Sequence, residues 1–209
     1  MKLAENGVPS LPDRCLRAAI INQHSRMVDL IAGAMLEQSE LLTWRRSVSR
    51  DVVNAFAELD LRAFEDVRLR GSALDILAKL GHHLGALQWP DIVHQHVRDD
   101  VAQMIMASAE RSPSYTLRLE HVSDDACRKF HKDRTDIRII TTYRGRGTEW
   151  VDVASAESEP PIHRLEPFEF GAFLGKRADT HQRILHRSPP IGPADLSRLV
   201  LVLDIERPA

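Results

Sequence analysis

The sequence predicts an α+β fold in which a block of helices backs a β-sandwich or barrel. Two observations predict it. Up to about residue 111 the apolar residues recur at helical spacing, and from Ser112-Pro-Ser onward they alternate. The last run, Ser197 to Ile205, sets Leu199, Leu201 and Leu203 against Arg198, Val200 and Val202. Apolar side chains on both parities imply a strand covered on both faces, as in the middle layer of a stack. The 209 residues are expected to form a single domain, with a mainly helical part over 1–111 and a β part over 112–209.

The elements follow in order. Pro12-Asp13 opens a helical pattern carrying Leu16, Ala19, Ile20, Met27, Leu30, Ile31 and Ala34. Leu41 to Trp44 is too short to type. Ser49 or Asp51 caps a second helix with Val52, Val53, Phe56 and Leu59 on its apolar side. A third runs from about Ser72 to Leu87, with Leu74, Leu77, Ala78 and Leu84 as its face, and glycines 81 and 85 weaken its end. After Pro90, Asp91 suits a helix N-terminus, and Val93, Val97, Val101, Met104 and Ile105 form the clearest stripe in the chain. Strands are expected at Thr116–Val122, Ile137–Tyr143, Glu149–Val153, Phe168–Leu174, Gln182–His186 and Ser197–Ile205.

Composition is that of an ordinary globular chain: 43% hydrophobic, 28% charged, formal net charge −2. That balance gives no global attraction to nucleic acid, and no apolar run is long enough to span a bilayer. Nucleic acid and membrane are therefore not expected partners. Two cysteines make no disulfide framework, and the N-terminus has no signal-peptide core, which together point to a cytoplasmic setting.

Chemistry concentrates in Cys127-Arg-Lys-Phe-His-Lys-Asp133. In an extended chain, residues two apart share a face, so His131 and Asp133 point the same way. An imidazole and a carboxylate so placed can grip one metal ion, and His186 is the best third donor. Two histidines and a carboxylate suit non-haem Fe(II) with open positions. A plainer reading stands beside this one: His131 and Asp133 on a polar loop, His186 in a turn before Pro189-Pro190. The pairs His82-His83 and His94/His96 diverge on helices. Gly145-Arg-Gly147 lacks the context of a phosphate loop.

The order of His131-x-Asp133, a strand, a glycine turn, an aromatic strand, His186, Pro189-Pro190 and Arg198 on a final apolar strand resembles the double-stranded β-helix of the 2-oxoglutarate and Fe(II)-dependent oxygenases. The prolyl-hydroxylase-like and AlkB-like branches are the nearest in pattern. The resemblance implies a jelly-roll-like β-helix, iron held by His131, Asp133 and His186, and 2-oxoglutarate bound through Arg198, with Tyr143 or Thr141 as a further contact. The substrate, a small molecule or a protein, is not named by it.

A second resemblance spans more of the chain. Cys127-Arg-x-Phe-His-x-Asp133, Thr142-Tyr-Arg-Gly-x-Gly-Thr-Glu-Trp150 and His186-Arg-Ser-Pro-Pro190 are similar to the bacterial family called domain of unknown function 1826. That family implies no reaction, but its association with zinc homeostasis implies a metal-chaperone partner. A non-catalytic Zn(II) protein is thus the alternative to an oxygenase, with Cys127 as an extra ligand in a softer, closed site. A metal-free interaction protein is the third reading.

Overall fold

Each helix among the described residues begins just after a serine cap or a proline. The computed structural model describes residues 19–21, 40–108, 114–124, 127–155, 159–178, 183–190 and 197–206. Ser49 accepts from the Val52 N–H and opens α1 (Arg50–Ala57). Ser72 and Asp75 make a reciprocal capping box that opens α2 (Ala73–Ala86). Pro90 precedes α3 (Asp91–Ser108), whose first turn carries Asp91.

Ten strands lie among the described residues: β1 (Ala19–Ile21), β2 (Leu41–Trp44), β3 (Val67–Gly71), β4 (Ser114–Val122), β5 (Ile137–Arg144), β6 (Glu149–Asp152), β7 (His163–Arg164), β8 (Phe170–Leu174), β9 (Ile184–Arg187) and β10 (Arg198–Glu206). Seven form a major sheet in the order β1-β2-β8-β5-β10-β4-β3, and three form a minor sheet, β7-β6-β9. All pairings are antiparallel except β1 with β2.

The strand β10 is paired along its length with β4 on one side and β5 on the other. Its two parities serve two cores. Leu199, Leu201, Leu203 and Ile205 share one apolar cluster with Val52 and Phe56 of α1, Ile76 and Leu80 of α2, and Val97 and Val101 of α3. Val200 and Val202 share a second cluster with Ile140, Trp150, Phe173 and Ile184. The major sheet is therefore a middle layer, with helices on one face and the minor sheet on the other. Each leucine buried in this way contributes about 2 kcal/mol.

Several expectations change. Ala19 and Ile20, placed on a helix by periodicity, belong to β1, paired in parallel with Leu42 and Thr43; the rest of that pattern lies outside the described residues. The first half is not purely helical, because β2 and β3 complete the major sheet. Both are too short to show a period. The face of α2 also rotates: Ile76, Leu80 and Leu84 are buried, whereas Leu74 is 81% exposed. Apolar residues occur around most of that helix, so its packing against β3 and α3 selects the face. The stripe on α3 is buried as spaced. No helix among the described residues is long and apolar enough to cross a membrane.

Candidate metal centre

The segment before β5 is not a regular strand, yet it is extended and tied to β9. His131 and His186 exchange backbone hydrogen bonds of 2.9 Å in both directions. The Asp133 carbonyl accepts from the Lys176 N–H at 2.8 Å. This pairing brings the imidazoles side by side, with ring centroids 4.8 Å apart. One ligating atom from each of His131, Asp133 and His186 lies within 4.8 Å of the other two. Among the described residues this is the one such group of three.

The donors are prepared for a cation. His131 Nδ1 lies 2.8 Å from the Lys129 carbonyl, so Nδ1 carries the proton and Nε2 keeps its lone pair. The Arg138 guanidinium engages Asp133 Oδ1. Asp133 Oδ2 is buried with no hydrogen-bond partner, although His186 Nε2 approaches to 2.9 Å. That approach falls short of a hydrogen bond, so the oxygen keeps its lone pairs. An orphaned carboxylate oxygen 2.9 Å from one imidazole nitrogen, in a group whose ligating atoms lie within 4.8 Å of one another, fits a metal ion between the three residues.

Electrostatics agree. Burial works to raise the Asp133 carboxyl, but the two imidazoles and Arg138 outweigh it and hold the group far below the usual carboxylate range. Burial lowers the His186 imidazole against the pull of Asp133, which keeps it neutral and ready to ligate. The more open His131 is raised by Asp133 against a smaller burial effect.

His131 and His186 line a cavity between the sheets, with Arg118, Glu120, Arg138 and Val202 among its other lining and Arg198 in the same wall. A larger cavity, ≈ 670 Å³, lies beside Phe64 and Trp89. It holds none of these donors, so size does not locate the site.

Arg198 is 3% exposed and inward-facing at the start of β10. Its Nε donates to the Arg146 carbonyl at 2.6 Å and its Nη1 to Ser188 Oγ at 2.7 Å. Its Nη2 donates to the hydroxyls of Thr142 and Thr148 at 3.2 and 3.4 Å. No carboxylate among the described residues forms an ion pair with it. Burial lowers its pKa to about 10 even with Glu149 nearby. The Gly145-Arg-Gly147 turn makes room for this side chain. Gly145 has φ +82°, and a Cβ there would stand 3.0 Å from Arg198 Cγ. At Gly147 a Cβ would fall 1.8 Å from the Leu165 carbonyl oxygen.

Two further expectations separate from the site. Tyr143 is on the opposite face of β5 from the cavity: its ring stacks on Phe56 at 4.5 Å, and its hydroxyl donates to Asp100 at 2.8 Å. Alternation explains the difference, since Arg138, Ile140 and Thr142 have the inward parity, and Tyr143 and Thr141 the other. Tyr143 is thus corrected from a cosubstrate contact to a member of the helix-side network with Arg46, His96 and Asp100. Cys127 is exposed at the cavity wall and is not in the converging group.

The residues that sequence reasoning missed are Arg138, Thr142, Thr148 and Ser188. Arg138 and Thr142 share the parity of Ile140, which is the signal that could have found them.

The chain belongs to the family described as protein of unknown function DUF1826, whose model matches residues 26–204. No curated protein matches it. Among solved structures, a dioxygenase for auxin oxidation from rice is similar at 13% identity and TM-score 0.52, over 87% of this chain and 78% of that one. JOX2 in complex with 2OG, Fe and JA matches at 12% identity and TM-score 0.48, over 98% of this chain and 81% of that one. A Pseudomonas putida prolyl-4-hydroxylase matches at 13% identity and TM-score 0.47, over 88% of this chain and all of that one (100%). At these identities the likeness concerns the fold, the jelly-roll double-stranded β-helix of 2-oxoglutarate/Fe(II) oxygenases, and the rice structure is the one that supports it.

Proposed function

We propose that this chain binds Fe(II) through His131, Asp133 and His186 and uses 2-oxoglutarate to oxidise a substrate. The observation that carries the proposal is a single cavity walled by two complementary features. One is the pair of imidazoles, His131 and His186, that converge with Asp133 and its orphaned oxygen. The other is a buried arginine whose described hydrogen-bond partners are all neutral.

In this reading His131 Nε2, His186 Nε2 and Asp133 Oδ2 are the ligand atoms. Arg138 holds the other oxygen of Asp133, which favours one-oxygen ligation. Three protein donors leave the remaining positions free for cosubstrate and oxygen. Arg198 offers a carboxylate its positive charge and the one Nη1 N–H that its four hydrogen bonds leave over. Thr142, Thr148 and Ser188 accept from Arg198, so their hydroxyl protons are free to turn toward the same anion. Val200, Val202 and Ile140 form an apolar wall that keeps the cavity poor in water. Fe(II) chelated by 2-oxoglutarate supplies the activation of dioxygen for oxidising a C–H bond.

The competing reading is a closed zinc site serving zinc homeostasis, with a metal-chaperone partner. It needs a fourth protein donor, and Cys127 is exposed and outside the converging group.

The test is anaerobic titration of 2-oxoglutarate into Fe(II)-loaded protein. The oxygenase reading expects a visible charge-transfer band that is absent in His131→Ala and Arg198→Ala. Metal uptake without any response to 2-oxoglutarate would refute it.

A further inference from the structure

Lys132 sits between two candidate ligands, and in an extended segment its side chain points away from theirs. It ends on Glu40. Lys132 Nζ donates to Glu40 Oε2 at 2.9 Å, and both side chains are almost fully buried, at 2% and 1% exposure. The same oxygen accepts the backbone N–H groups of Arg183 at 3.2 Å and Ile184 at 3.0 Å. The Glu40 carbonyl accepts from the Leu174 N–H at 2.9 Å. One carboxylate oxygen therefore fastens the segment that carries His131 and Asp133 to the start of the strand that carries His186. The residue that does so lies 92 positions before Lys132.

We infer that Glu40, acting through Lys132 and the start of β9, is a positioning residue that sets the spacing of the three metal-ligating side chains. The inference rests on the metal-site reading. Stability alone is a poor reason for a buried pair, since well-packed apolar residues often serve as well or better. A pair whose acceptor gathers donors from both ligand-bearing segments does something an apolar pair cannot: it fixes their relative register. The backbone hydrogen bonds between the segments, those of residue 131 with residue 186 and that from the Ser188 N–H to the Cys127 carbonyl, all lie at or before His131. Glu40 adds an attachment beyond them, on the Asp133 side. Outer partners that orient ligands typically change metal affinity by about 10–100-fold when removed.

The experiment uses the full chain and Co(II) as the probe, because its visible spectrum reports ligand geometry. The double variant Glu40→Leu/Lys132→Met replaces the pair by apolar side chains. Glu40→Gln keeps an acceptor for Arg183 and Ile184, and so guards against a double variant that fails to fold. For the double variant, which also takes the acceptor from the Arg183 and Ile184 N–H groups, we expect a lowered metal-free melting temperature, a Co(II) dissociation constant raised about 10–100-fold and an altered Co(II) spectrum. For Glu40→Gln we expect a smaller change in the same direction. Wild-type Co(II) affinity and spectrum in the folded variants, whatever their melting temperatures, would overturn the positioning role and leave the metal reading standing. A wild-type protein that takes up no Co(II), Fe(II) or Zn(II) would remove the metal reading, and this inference with it.

Discussion

Replacing Arg198 by methionine separates stability from binding. Two effects on stability oppose each other. Burial holds the guanidinium's pKa down at about 10, which corresponds to roughly 3 kcal/mol set against the charged form. The variant is relieved of that penalty. It also loses the hydrogen bonds to the Arg146 carbonyl and to the hydroxyls of Ser188, Thr142 and Thr148. The hydroxyls can turn to other acceptors, but the Arg146 carbonyl loses the Arg198 donor, at roughly 1–3 kcal/mol. The net change in the metal-free protein is expected within about 2 kcal/mol of zero. Binding has no such offset. The one charge-assisted hydrogen bond left to a carboxylate, at roughly 1.5–3 kcal/mol, corresponds to a 2-oxoglutarate affinity lower by roughly 10–10²-fold. Urea denaturation measures the first quantity, and titration of the Fe(II) protein the second. A variant that loses more than about 4 kcal/mol of stability while binding 2-oxoglutarate as tightly as wild type would make Arg198 a structural residue and refute the reasoning.

Three further outcomes follow from the same geometry. Asp133 is held far below the usual carboxylate range, so its contribution is complete above its unfolded pKa of about 3.9 and is lost as pH falls through that value toward the folded one. Stability of the metal-free protein should drop on acidification below about pH 4–5, and this drop should be shallower in Asp133→Asn when both are followed by circular dichroism. Cys127→Ser should change Fe(II) or Zn(II) affinity by less than about twofold, against the roughly 10–100-fold typical of a disturbed metal shell; a loss of that larger size in competition with a chelator would place the thiolate in the site. Tyr143→Phe removes the hydrogen bond to Asp100 and should cost about 1 kcal/mol in chemical denaturation, with 2-oxoglutarate binding unchanged.

How much of this was legible depended on whether each signal was local. The stripe on α3 repeats over eighteen residues, long enough for periodicity to fix both helix and face. The strand β10 is apolar on both parities, and that alone required a layer above and a layer below it. By contrast, β2 spans four residues and β3 five, and each is a strand because a neighbour's backbone accepts its ladder. Leu74 and Ile76 belong to the same apolar helix, and only the packing of α2 distinguishes the exposed one from the buried one.

The same division runs through the candidate site. Spacing by two put His131 and Asp133 on one side of the chain, because side-chain alternation belongs to any extended backbone. The sequence by itself thus determined the donor types and their local pairing, and the resemblance of motif order pointed to His186 and Arg198. Only the tertiary structure decided what those donors face. The bridge between residues 131 and 186 makes the three converge, β10 brings Arg198 to the same cavity, and the parity of β5 sends Tyr143 to the helices instead. Of the partners that hold the site, Arg138 is itself anchored by Asp204 across 66 residues, and Glu40 reaches Lys132 across 92. A one-dimensional pattern carries no record of such contacts, because a buried charge finds its partner by proximity in the fold and not along the chain.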